Sequence, residues 1–288
     1  IAWIIKGIIT TLKKGSQNIS AYFKDEELDD APIGDTLATT IENPSALLPH
    51  INALRKHLFR AVLAVVITTA VSFLFVHQIL AYLAEPMAGG LKDLVAIDVT
   101  ENIGTVMRVT LLSGFTIALP YIIFEIWLFI APALKVSSRI KGLIAIPAAI
   151  LFFVGGMAFA FFVMLPAALP FLFNFMGLVT QPRPSSYYNF VTTIMFWIGV
   201  TFEFPLVIYL LASLGLIKAK MLATQWRIAI VAIAILAAAI TPTVDPVNMG
   251  LVMAPMIVLY FFSIGLAYIA QRNRNPKQKE ALDKAQTT

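Results

Sequence analysis

Cysteine is absent from the 288 residues, which excludes disulfides and thiolate metal ligands. Charge is scarce as well. Only 13% of residues are Asp, Glu, Lys or Arg, against about 25% in soluble domains. With 59% hydrophobic residues, the chain lacks the polar surface needed to face water on every side. Histidine occurs three times, at His50, His57 and His77, without metal-ligand spacing, and these read as surface or interfacial side chains. No serine or threonine has a base at motif distance, and no glycine-rich phosphate loop is present. The sequence therefore carries no catalytic set and points to no cofactor. No internal repeat is visible, which weighs against duplicated transporter folds. The net charge of +5 is sorted by side, so it is not a nucleic-acid footprint.

What is present is a series of apolar runs. The most informative is Leu119 to Lys141. It holds one acid, Glu125, stops at Pro132, and gives way to Lys135, Arg139 and Lys141. An apolar run that ends at proline and turns basic reads as a membrane exit on the cytoplasmic side.

In chain order, residues 1–44 form an extension. Ile1 to Lys24 does not read as a cleavable signal, because Lys6 splits the apolar run. Its apolar spacing fits an interfacial helix on anionic lipid, and it also fits an unstructured tail. An acidic run follows, with Asp25, Glu26, Glu27, Asp29, Asp30, Asp35 and Glu42, and reads as a solvated linker.

A membrane domain is expected over 45–270. Ser45 to Arg60 is an amphipathic lead-in to a first span near Leu58–Leu83, which ends at Glu85-Pro86. The second span covers about Thr105–Phe129, with Pro120 predicted to kink it. The third covers about Gly142–Leu165, followed by a loop over Pro166–Tyr188. The fourth covers about Asn189–Ala212 and contains Glu203 and Pro205. The fifth run, Ile228–Ile240, is short, the chain turns at Thr241 to Pro246, and the sixth span covers about Val247–Ala270. A basic tail, 271–288, ends the chain.

The predicted fold is all-α, a polytopic membrane protein of six spans. Both ends then lie on one side. Lys and Arg at 6, 13, 14, 24, 55, 56, 60, 135, 139, 141, 218, 220, 227, 272, 274, 277, 279 and 284 make 18 of the 21 on that side. The positive-inside rule predicts a multi-pass protein of the cytoplasmic membrane with both termini inside.

Two acids lie within apolar runs. A carboxylate there costs several kcal/mol even on lenient scales, so Glu203 and Glu125 are functional candidates. Glu203 sits mid-span with no base at its depth; thinned lipid around it is the structural alternative. Glu125 lies nearer the cytoplasmic face, where it can snorkel. Gly155-Gly156 reads as a close-packing site between helices.

Several stretches together resemble the TatC family, the core subunit of the twin-arginine protein translocase. They are His50 to Leu58, Thr100-Glu101, Ala118-Leu119-Pro120 through Phe129-Ile130-Ala131-Pro132, Phe202-Glu203-Phe204-Pro205, and Thr241-Pro242 with Asp245-Pro246. The resemblance covers about Ser45 to Ala270. It implies a concave six-helix arrangement with both termini cytoplasmic and short fifth and sixth helices. It implies no enzyme activity. It also implies binding of twin-arginine signal peptides of folded cargo at the cytoplasmic face, here by His50, Leu54, Arg55, Ser138 and Arg139. Single-span partners of the TatA and TatB type would then be recruited, with self-association in the bilayer and export driven by the proton-motive force. Glu203, Thr241 and Asp245 would make the intramembrane partner contact, Glu125 would be an auxiliary acid, and Glu85, Pro86 and Glu101 would belong to an extracytoplasmic loop and helix cap.

Three positions depart from the family pattern. Ala53 and Ser138 stand where glutamates are usual, and those two acids are the expected partners of the signal's arginines; Phe261 stands where an acid is common. Losing both carboxylates predicts a loss of about 3 kcal/mol or more of binding. Either the acidic run at 25–35, with Glu125, replaces them, or the chain is a divergent paralogue that scaffolds partners without ordinary signal reading. A small proton-coupled transporter using Glu203 is the reading from another class.

Overall fold

The structure is a computed structural model that describes residues 47–87, 90–98, 100–131, 136–173, 182–241 and 245–272. Residues 1–46, with the acidic run, and the tail beyond 272 lie outside the described residues, as do Pro132 to Lys135 and Pro242 to Val244. The described residues are helical apart from short connections and contain no strand.

The lead-in and the first span are one helix, α1, Leu47–Phe73. A break at Leu74-Phe75 separates it from α2, Val76–Leu83. Then follow α3, Glu101–Ile130, and α4, Val136–Phe159, which passes through a π turn at Ala160–Met164 into α5, Leu165–Phe173. The predicted loop at Pro166–Tyr188 is thus helical at both of its ends, because the helix of α4 runs on through the π turn and past Pro166 to Phe173, and α6 begins at Pro184. Next come α6, Pro184–Phe202; α7, Phe204–Leu214; α8, Ala219–Thr224; α9, Trp226–Ile240; and α10, Pro246–Arg272. Gly215, at φ 89°, ends α7 in the left-handed conformation that glycine adopts without strain.

Five stretches are long and apolar enough to cross a membrane: Ile51–Phe73, Glu101–Ile130, Ala145–Phe173, Pro184–Ser213 and Pro246–Arg272. At 15 residues, α9 is shorter. It covers roughly 22 Å against ~30 Å of hydrocarbon. The short fifth helix is therefore present, while the sixth, at 27 residues, is longer than the family resemblance implies.

The chain packs as two compact units, one within Ile1–Leu63 and Tyr121–Ile146, the other within Ala64–Pro120 and Pro147–Thr288. The divisions fall at Pro120 in α3 and Pro147 in α4, each of which removes one backbone hydrogen bond from its helix.

In the second unit, the core forms because buried side chains recur at helical spacing. On α10 they are Val252, Met256, Tyr260, Ser263, Ala267 and Ala270; on α6 they are Tyr188, Val191, Ile194, Met195 and Ile198. Small residues let backbones approach. Ala212 of α7 and Ala267 of α10 are fully buried in one cluster. Gly156 and Gly199 mark the contact of α4 with α6, where a Cβ on Gly156 would sit 2.8 Å from Phe202 Cγ and 3.0 Å from Gly199 Cα. Of the two glycines predicted to pack, only Gly156 does; Gly155 faces open space.

Hydrogen bonds complete this unit. The last carbonyls of a helix have no partner within it. Tyr187 of α6 meets one such carbonyl of α2, donating to Leu83 O at 2.8 Å, and Tyr188 donates at 2.7 Å to Leu80 O, which also accepts from the Ala84 N–H. Between α1 and α3, Thr68 donates to Gly114 O at 2.7 Å.

Candidate functional site

The first candidate site lies in the first unit. On α1, His57 and Arg60 are three residues apart and share a face; on α3, Tyr121 and Glu125 are four apart and share a face. These faces meet. The Glu125 carboxylate accepts a hydrogen bond from His57 Nδ1 at 2.5 Å, and Arg60 Nη1 lies 3.9 Å from the same oxygen. The Tyr121 hydroxyl also reaches this carboxylate. Phe129 stands edge-on to the His57 ring, with centroids 6.2 Å apart. Glu125 is only 3% exposed. A buried carboxylate is tolerable where it is paired and hydrogen-bonded, and this one is.

That corrects two expectations. Glu125 does not snorkel but is enclosed, and His57 is not a bland surface histidine but its partner. Long-range pairing of this kind leaves no mark in a single sequence beyond the shared faces of two helices.

Leu54 and Arg55 are exposed on α1. His50, Ser138 and Arg139 lie on helical backbone, in the first turn of α1 and the first turn of α4, and their side chains lie outside the described residues. The only acid in the sequence of Ser45–Leu63 and Tyr121–Ile146 is Glu125, against Arg55, Lys56, Arg60, Lys135, Arg139 and Lys141.

At the other end of α3, Glu101 ties two elements together. Its Oε1 accepts from the Ser185 N–H at 3.1 Å and the Ser185 hydroxyl at 2.5 Å, and its Oε2 accepts from the Ile97 N–H at 3.2 Å. Ser185 follows Pro184 at the start of α6, so a carboxylate satisfies an N-terminal amide that the helix leaves free. Its partner Ser185 is a residue that sequence reading missed, although a proline followed by serine is a helix-start signal. Glu85 and Pro86 sit in the turn after α2, with Glu85 N bonded to Tyr82 O at 3.1 Å. We expect Glu101→Ala to loosen the start of α6, giving faster amide exchange at Ser185 and its neighbours. Glu101→Gln, which keeps an acceptor oxygen, should be milder. Unchanged exchange in Glu101→Ala would contradict the cap.

Glu203 occupies the single residue between α6 and α7. Pro205 lacks the N–H that would bond Thr201 O, so the helix loosens at this position. The Glu203 Oε1 atom is buried and has no hydrogen-bond partner among the described residues. A buried oxygen without a donor is costly in isolation.

A polar cluster opens α10. Thr241 is buried and donates back to Ala237 O of its own helix. Asp245 caps α10, accepting from the Asn248 N–H at 2.7 Å and from Asn248 Nδ2 at 2.9 Å. Asn248, 1% exposed, leaves its Oδ1 without a partner among the described residues. Thr241 and Asp245 are thus engaged in helix-end bonds, and Asn248, unremarked in the sequence, carries the open acceptor. Phe261 is half exposed on α10.

Comparison with known proteins gives these features a context. A family model described as Sec-independent protein translocase protein (TatC) matches residues 49–255. The TatC of Carboxydothermus hydrogenoformans is 36% identical over 228 residues, covering 78% of this chain and 94% of that protein. The TatC of Deinococcus radiodurans is 34% identical over 231 residues, covering 77% and 86%. A crystal structure titled as the twin-arginine translocase receptor TatC superposes with a TM-score of 0.69 at 30% identity, covering 77% of this chain and 99% of that one. With the six apolar helices in family order, the chain belongs to the TatC family and is a core subunit of the Sec-independent, twin-arginine protein translocase.

Proposed function

We propose that the chain receives twin-arginine signal peptides of folded proteins at the cytoplasmic face of the cell membrane. It then recruits single-span partners of the TatA and TatB type for export driven by the proton-motive force. Both termini lie in the cytoplasm, as the placement of 18 of 21 basic residues on one side supports. Residues 1–44 are a cytoplasmic extension, 45–270 the translocase domain and 271–288 a basic cytoplasmic tail.

The single observation that carries the reading is Glu203: a buried carboxylate oxygen, beside a proline-loosened turn in a membrane helix, that has no donor among the described residues. An intramembrane carboxylate with one buried oxygen left open fits a contact completed by a polar residue of another span. Thr241, Asp245 and the open Asn248 acceptor supply a second polar patch for partner helices. Signal reading falls to the first unit, on His50, Leu54, Arg55, Ser138 and Arg139. Self-association within the bilayer completes the assembly.

A second reading has an observation behind it. Ala53 and Ser138 supply no carboxylate, and the one acid of that region is enclosed. A scaffold that gathers partners without reading the arginines fits those facts. Export of a folded reporter behind a twin-arginine signal separates the two readings, in a host lacking its own core subunit and supplied with the cognate partners.

A further inference from the structure

We propose that Glu125 is the carboxylate that accepts a guanidinium of the twin-arginine signal in this chain, and that His57 is the group this guanidinium displaces. The inference rests on the receptor reading above and names the residue that reads the charge.

A guanidinium is always charged and presents a planar fork that matches a carboxylate through two parallel hydrogen bonds. A receptor for paired arginines therefore needs an acid. Within the described part of the first unit, the only acid is Glu125.

Its present partners leave it open to exchange. His57 makes one hydrogen bond to Oε2, and the Tyr121 hydroxyl makes another to the carboxylate. Arg60, at 3.9 Å, is beyond hydrogen-bond distance and supplies charge without occupying a lone pair. A carboxylate offers about four acceptor sites, so a bidentate guanidinium gains where a single imidazole bond is lost. Its two basic neighbours reach the surface: the His57 side chain is partly exposed and that of Arg60 more than half exposed. Every titratable or charged group in contact with Glu125 (His57, Arg60 and Tyr121) is a donor, and none is a competing acid. Lysine, a point charge with no fork, replaces His57 less well, which gives selectivity for arginine over lysine.

The test uses the full chain in lipid nanodiscs and two synthetic signal peptides, one with the arginine pair and one with lysines in its place. The wild-type chain should prefer the arginine peptide. Glu125→Gln, nearly isosteric, should lower its affinity by about tenfold to a hundredfold, the scale of one charge-assisted interaction, and erase the preference. His57→Gln should raise the affinity, because the competing donor is weakened. A simple lock between α1 and α3 predicts the opposite pattern, in which both variants lose binding together, and that result would overturn the inference. An arginine preference that survives Glu125→Gln would overturn it alone, leaving the receptor reading intact. A wild-type chain that binds both peptides equally would overturn the receptor reading and the inference with it.

Discussion

Gly114→Ala is expected to destabilise the protein more than any other single-methyl addition in the second unit. The new Cβ would lie 2.6 Å from the Cα and N of Thr69, which are backbone atoms and cannot rotate away. The helices α1 and α3 would have to separate locally, and the Thr68 hydrogen bond to Gly114 O would lengthen with them. Overpacking together with a weakened interhelical bond amounts to about 2–4 kcal/mol. Unfolding of the purified chain in detergent by titrated SDS measures this. Gly155→Ala is the matched control, since nothing lies within 4 Å of a Cβ there, and it should stay within about 0.5 kcal/mol of wild type. Equal shifts in the two variants would show that the α1–α3 contact is not as close as described.

The second large effect is on assembly rather than stability. Glu203→Ala should shift the unfolding midpoint only slightly, because its buried Oε1 has no hydrogen bond to lose and the carboxylate gives up a single contact with the Phe153 backbone. Under the proposed partner contact, capture of the single-span partner should fall by about tenfold to a hundredfold, as for one hydrogen bond to a charged group. Glu203→Gln keeps a polar end and should lie between the two. Co-purification or site-specific cross-linking from α7 reads the result. Wild-type assembly in Glu203→Ala would remove Glu203 from the partner contact.

These two residues also show what was legible in the sequence. Glu203 stood out because a charged residue in an apolar run is rare and costly, and composition alone reveals it. The six helices were legible for the same reason, since apolar length is a local property. Gly114 drew no attention, because a glycine in a helix looks alike whether it faces lipid or another backbone. Gly155 and Gly156, adjacent in sequence, prove the point: one faces open space and the other meets Phe202 and Gly199.

Loop boundaries are less legible in the sequence where a proline lies within or opens a helix. Pro166 lies within a helix that continues through a π turn, and Pro184 opens α6, so the loop expected over Pro166–Tyr188 is shorter. The pairing of His57 with Glu125 was hidden altogether. It joins residues 68 apart, and only the meeting of two helix faces brings them together. Family resemblance supplied the expected acids, at positions where this chain has Ala53 and Ser138. Among the described residues of the first unit, the one acid is Glu125.

The most direct measurement is export itself. The chain would be expressed with its cognate single-span partners in a host lacking its own translocase core, with a folded reporter carried behind a twin-arginine signal and, in parallel, a twin-lysine signal. The account predicts export of the arginine-tagged reporter and little or none of the lysine-tagged one. Correct membrane insertion and partner binding without export of either would contradict it and leave a scaffold that gathers partners but does not read the signal.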